Sequence, residues 1–192
     1  MDRKKQSTAL FLLILLLGGA IRTFALDGGG MACFGAERPA CWAVAVLMKG
    51  VPNCHKVSDF LYRGGQPVRE GFKELEKMGI KTIVNLREHH SDKKLIDGTG
   101  LNYYQVFIST TRPNKKDYQR ALDIIRDPRH HPVFIHCLHG ADRTGTAVAL
   151  YRITAQRWDV EEAIRELKDG GYGYHSIYME LLKFIRNFSN QH

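Results

Sequence analysis

The stretch that most restricts how this chain can fold is VFIHCLHGADRTG, residues 133–145. Val133, Phe134 and Ile135 form an unbroken β-branched and aromatic run, the pattern of a short strand buried on both faces. The run stops at His136, passes Cys137 and Gly140, and from Thr144 to Trp158 apolar residues recur at helical intervals. A buried strand that turns within a few residues into a helix is the repeating unit of an α/β layered fold. In such folds ligands sit at the carboxyl ends of the strands, which is where residues 136–145 fall.

The punctuation elsewhere agrees. Residues 60–63 read as a strand ending in Gly64 and Gly65, and residues 67–78 carry Val68, Phe72, Leu75 and Met78 at helical spacing before Gly79. Residues 81–86 (KTIVNL) and 101–108 read as strands, residues 118–126 as a helix stopped before Pro128, and residues 160–168 and 177–188 as further helices. This alternation predicts an α/β domain over residues 53–188, with a small, mostly parallel central sheet flanked by helices. The whole chain is 44% hydrophobic and 25% charged, enough for one core without staples.

The first 25 residues stand apart. Arg3, Lys4 and Lys5 precede an apolar run from Ala9 to Ala20, and Thr23 and Ala25 supply small residues for a cleavage site. They read as an export signal or as an uncleaved N-terminal membrane anchor, although the run is short against the ~20 residues a span needs. The expected location is exported, periplasmic, with inner-membrane tethering as the alternative. Residues 26–52, opening on Gly28, Gly29 and Gly30, read as a tether and irregular lead-in. Removing residues 1–25 takes four cations and one anion from the 28 and 20 present, leaving a net charge of +5. That balance suits anionic substrates. It gives no case for nucleic acid, since no basic run is interleaved with aromatics.

The turn itself carries the chemistry. Successive backbone N–H groups between a strand and a helix converge on one point, Gly140 and Gly145 permit the tight path, and the helix dipole adds positive potential. Such a cradle takes an oxyanion. Cys137 at its rim is expected to be a thiolate nucleophile, because a helix N-terminus or a nearby cation favours the ionised sulfur. Arg143 offers a planar fork for two phosphate oxygens, and Thr144 a hydroxyl for the departing thiolate. A nucleotide P-loop fails, because Thr146 follows Gly145 where a lysine is required. A zinc site of His136, Cys137 and His139 has no second ligand pair at suitable spacing, so neither a metal nor a cofactor is expected.

HCLHGADRTG resembles the H-C-x5-R-[ST] signature loop of the cysteine-dependent protein tyrosine and dual-specificity phosphatases. LYRGGQP (61–67), GIKTIVNLRE (79–88) and DGGYGYH (169–175) resemble segments of small bacterial dual-specificity-like members, and RPACWA (38–43) is similar to the early mature region of an exported one. The resemblance implies a phosphocysteine mechanism: Cys137 attacks phosphorus, Arg143 holds the phosphoryl group, and residues Leu138, His139, Gly140, Ala141, Asp142 and Arg143 line the substrate site. It also implies a monomer acting on a phosphorylated protein. The general acid of that family is an Asp on the loop before the signature, and here residues 109–119 contain one carboxylate, Asp117. Asp142 is the rival.

A related branch acts on inositol pyrophosphates with a loop rich in Lys, Arg and His. Leu138 and Asp142 disfavour that reading, so phosphotyrosine is the expected substrate, with phosphoserine and phosphothreonine as further substrates. A catalytically silent phosphate-binding module would keep Arg143 but has no use for Cys137. Among Cys33, Cys41 and Cys54 two are candidates to pair, and Cys41 with Cys54 would close a short loop. Tyr172, Tyr174 and His175 lie in a glycine-rich turn that either borders the pocket or follows a helix C-cap.

Overall fold

The computed structural model describes residues 38–189. The expected export segment or anchor, 1–25, and residues 26–37 of the expected tether lie outside it. No helix among the described residues is long and apolar enough to cross a membrane.

In chain order the elements are β1 (Val44–Ala45), β2 (His55–Lys56), β3 (Leu61–Gly64), α1 (Arg69–Lys77), β4 (Thr82–Asn85), β5 (Asn102–Gln105), α2 (Lys115–Arg126), a 3-10 turn (Pro128–His130), β6 (Val133–His136), α3 (Asp142–Gln156), α4 (Val160–Asp169) and α5 (Met179–Ser189). They build one six-stranded sheet in the order β1-β2-β3-β6-β4-β5. The four strands β3, β6, β4 and β5 run parallel, and β1 and β2 add an antiparallel edge. The expected small, mostly parallel α/β sheet is therefore present. The register aligns Gly64, His136 and Asn85 across the central three strands, so the loops after them leave the sheet side by side.

Side-chain alternation distributes the core over both faces. Ile83 and Phe134 point to the face covered by α1, where they meet Phe72, Leu75, Val51 and Cys54. Leu61, Val84, Val133 and Ile135 point to the other face and join side chains of α2 to α5. α3 is buried at every position from Thr144 to Arg152, as a helix enclosed by three others must be. Gly145 allows this closeness, because a Cβ there would sit 2.2 Å from Leu167 Cδ1 of α4.

Three boundaries differ from expectation. α2 begins at Lys115 rather than 118, because the Asn114 side chain caps it by accepting from the Asp117 amide. α3 begins at Asp142 rather than 144, which puts Asp142 and Arg143 in its first turn. Within the described part of the lead-in, Trp42 and Ala43 are buried in the domain rather than belonging to a tether. Trp42 Nε1 donates to Glu162 Oε1 at 2.9 Å and the Ala43 amide donates to Glu166 Oε1 at 2.7 Å, pinning this segment to α4. Glu166 also holds the buried Arg152, whose Nε lies 2.8 Å from Oε2.

The Cys41–Cys54 pairing is overturned. Cys41 is disulfide-bonded, while Cys54 is a free, buried thiol. The physical reason is placement: Cys54 packs under α1 and Cys41 against the cluster on the opposite side of the sheet.

Candidate active site

The turn after β6 is held from outside by its own carbonyls. Leu138 O accepts from the Gln66 amide at 3.0 Å, His139 O from Asn53 Nδ2 at 2.9 Å, and Gly140 O from Arg63 Nη2 at 2.6 Å. A trans peptide points its N–H opposite its C=O. Three consecutive anchored carbonyls therefore turn the amides of His139, Gly140 and Ala141 away from Gln66, Asn53 and Arg63, leaving them free for a ligand of the turn. Gly140 has a φ of +74°, and a Cβ on it would come within 2.4 Å of Gly64 C. Glycine is required there both for the backbone conformation and for the contact with β3.

The helix end completes the cradle. α2 and α4 are capped by the side chains of Asn114 and Asp159, whereas the N-cap of α3, Ala141, supplies no side-chain hydrogen bond. The first amides of α3 are thus left to an incoming anion. Arg143 Nε and Thr144 Oγ1 are buried without a hydrogen-bond partner among the described residues. Buried polar atoms are ordinarily paired, and a phosphoryl group in this turn would satisfy both. Cys137 is 2% exposed at the base of the turn.

Of the residues singled out from sequence, Cys137 through Thr144 share this one structure. Leu138 and His139 expose their side chains, and Gly140 and Ala141 are buried. Asp142 is buried and engaged: its Oδ1 accepts from the His175 amide at 2.9 Å, and its Oδ2 lies 2.8 Å from His175 Nδ1. The turn containing Tyr172 and His175 accordingly packs against the signature loop. Asp117 stands half-buried in the first turn of α2, its amide donating to Asn114 Oδ1 and its carboxylate accepting from Asn114 Nδ2. His136 does not join a metal set with Cys137 and His139: its Nε2 lies 2.9 Å from the buried Asp92 Oδ2 and its Nδ1 3.2 Å from the Cys137 carbonyl.

Five supporting residues were not found from sequence. Arg63 is fully buried, with its guanidinium 3.8 Å from the Tyr172 ring centroid, and burial pulls its pKa down. Asn53 bridges two segments, since its Nδ2 donates both to His139 O and to Tyr172 O at 2.9 Å. Gln66 Nε2 donates to Asp92 Oδ1 at 2.7 Å, and Gln66 Oε1 accepts from Arg87 Nη1 at 2.8 Å. Arg87 is partly buried, and its pKa is lowered first by desolvation; the charges of Asp92, Arg143 and Cys137 also act on it. A second cation therefore lies within electrostatic range of Arg143. The sequence signal for it was Arg87 just past β4, whose end the register places next to His136.

Comparison with known proteins agrees with this construction. A sequence model of the tyrosine phosphatase family matches residues 51–192. The dual specificity protein phosphatase TpbA of Pseudomonas aeruginosa is 30% identical over 179 residues, covering 91% of this chain and 79% of that protein. Inositol diphosphatase DSP3 of Arabidopsis thaliana is 30% identical over 122 residues, or 59% of this chain and 60% of its own length. The crystal structure of a cysteine-to-serine variant of P. aeruginosa TpbA in complex with phosphotyrosine superposes with a TM-score of 0.69 at 25% identity, over 81% of this chain and 98% of that one. The family match takes in β2 to α5 and the cysteine-bearing turn, and on that ground, with the 30% identity to TpbA, the chain belongs to the tyrosine phosphatase family.

Proposed function

We propose that the protein hydrolyses phosphotyrosine esters on proteins, and phosphoserine or phosphothreonine esters more slowly, through a phosphocysteine on Cys137. The observation that carries this reading is the outward anchoring of three successive loop carbonyls around Cys137. It supplies preorganised N–H donors for the equatorial phosphoryl oxygens, and such donors need not reorganise as charge develops.

In the first step Cys137 Sγ, as thiolate, attacks phosphorus; the S–P bond forms, and the P–O bond to the tyrosyl oxygen breaks with its electron pair leaving on that oxygen. Arg143 spans two phosphoryl oxygens throughout. The leaving oxygen takes a proton from Asp117, the half-buried carboxylate in the first turn of α2, while Asp142 is committed to bracing the 172–175 turn. In the second step water attacks phosphorus, gives its proton to Asp117, and the S–P pair returns to sulfur, which Thr144 Oγ1 stabilises by donating a hydrogen bond. Inorganic phosphate departs. The steps use side chains and water alone.

TpbA is named a dual specificity protein phosphatase, and its solved complex holds phosphotyrosine, which supports the same substrate class here. The presence of Arg87 within electrostatic range of Arg143, with inositol diphosphatases among the relatives, favours inositol polyphosphates as the second reading. Steady-state hydrolysis of phosphotyrosine and phosphothreonine peptides and of inositol polyphosphates separates the two. The first reading requires the highest kcat/KM on phosphotyrosine peptide and is refuted by preference for the inositol compounds. Residues 1–25 are further proposed to export the protein to the periplasm, with a membrane tether as the alternative; cell fractionation of a tagged full-length chain, with N-terminal sequencing, tests both.

A further inference from the structure

We infer that His139, Asp142 and His175 form a binding site for one divalent transition-metal ion of the zinc type, at the seam between the signature loop and the 172–175 turn. One ligand atom from each of these residues lies within 4.8 Å of the others. The donor set is two imidazoles and a carboxylate, which suits zinc, cobalt or nickel rather than calcium or magnesium.

The ring geometry is already near what such an ion needs. The His139 and His175 ring centroids are 5.4 Å apart at an interplanar angle of 55°. Two imidazoles on one tetrahedral zinc, with Zn–N distances of about 2.0 Å, place their centroids about 5 Å apart. Ligand atoms around such an ion are separated by about 3.3 Å, so the cluster must contract by roughly 1.5 Å at most. His139 is exposed, so its ring has room to turn, while the 45% exposed His175 side chain already places Nδ1 2.8 Å from Asp142 Oδ2, where an ion would take the place of that hydrogen bond. Asp142 is the fixed member, buried in the first turn of α3.

The two segments are also held together by contacts other than those of the two imidazoles. Asn53 Nδ2 joins His139 O to Tyr172 O, and the His175 amide donates to Asp142 Oδ1. The backbone cost of assembling the ligands is therefore already met by the fold. The ion would join the loop that bears Cys137 to a neighbouring turn, leaving its fourth position open.

This inference does not depend on the phosphatase reading, and its test uses a protein without the nucleophile. Zinc is titrated into the Cys137→Ser full-length protein against a chromophoric zinc indicator, with Co2+ absorption as the second readout. The expected result is one equivalent bound at micromolar affinity, a Co2+ spectrum of nitrogen and oxygen ligation, and weakening of at least tenfold in His139→Ala and in His175→Ala. Binding that disappears with Cys137→Ser would assign the metal to the thiolate and overturn the site. So would unchanged affinity in both histidine variants, checked for folding by circular dichroism, or an absence of binding below millimolar zinc.

Discussion

Replacing Gly140 by alanine tests the carbonyl-anchored cradle. The added Cβ would lie 2.4 Å from Gly64 C, 2.5 Å from Gly64 O and 2.6 Å from Gly65 N, against 3.4 Å for ordinary contact. All three obstacles are backbone of β3 or the residue after it, which cannot swing aside as a side chain can. The loop must therefore retreat by about 1 Å, the difference between 3.4 and 2.4 Å. The left-handed φ of +74° costs about 1–2 kcal/mol more for a residue with a Cβ. A misplacement of that size costs about 100-fold in rate, or about 2.7 kcal/mol of transition-state stabilisation. The assay is kcat/KM with phosphotyrosine peptide, alongside thermal unfolding of the same preparations. A fall of about 100-fold, with Tm lowered by about 2–8 °C, is expected for a domain of this size. A Gly140→Ala protein within twofold of wild type in kcat/KM would refute the argument that these contacts set the cradle's geometry.

Other perturbations test separate parts. Asp117→Asn should lower kcat about 10²- to 10⁴-fold on phosphotyrosine peptide; an unchanged kcat would move the acid elsewhere. Asn53→Ala removes donors to both His139 O and Tyr172 O from a residue with a φ of 53°, and should cost about 1–3 kcal/mol in urea unfolding with a fall in kcat. His55 has its pKa lowered chiefly by burial, with the Asn53 carbonyl and the charges of Arg63, Arg38 and Glu166 acting on it, so the unfolded chain takes up its proton at higher pH than the folded one. Its contribution to stability is full above the ordinary value of 6.5 and lost as pH falls below it, so His55→Gln should flatten the acid side of the stability–pH curve. Burial pushes the Cys54 thiol up to about 11, and at pH 8 only about one molecule in a thousand carries that thiolate. Iodoacetamide should therefore label Cys54 only after unfolding, as peptide mapping would show.

What could be read from the chain was what is local in it. The path from β6 through Cys137 to α3 lies within one contiguous stretch, so strand, cradle, cation and helix declare themselves by adjacency. The groups that hold this turn in shape do not. Arg63 reaches Gly140 O across 77 residues and Asn53 reaches His139 O across 86, and both contacts exist only once β3 lies beside β6. Nothing in LYRGG marks Arg63 as a buried donor, because an arginine ending a strand is ordinarily a surface residue. The two-residue strands β1 and β2 escaped for a related reason: neither is long enough to show a period. The start of α2 was hidden because Asn114, Lys115 and Lys116 are polar residues shared by loops and helix caps, which only the Asn114 hydrogen bond distinguishes. Asp142 was visible as a carboxylate beside Arg143, yet its partner His175 lies 33 residues further on.

The central claim is that the phosphoryl group passes through sulfur, and rapid acid quenching during turnover of phosphotyrosine peptide, followed by mass spectrometry, examines it directly. The account predicts a peptide carrying one phosphoryl group on Cys137, formed in a burst and absent from Cys137→Ser protein. Phosphate release with no phosphorylated cysteine at any quench time, or undiminished turnover by Cys137→Ser, would contradict it.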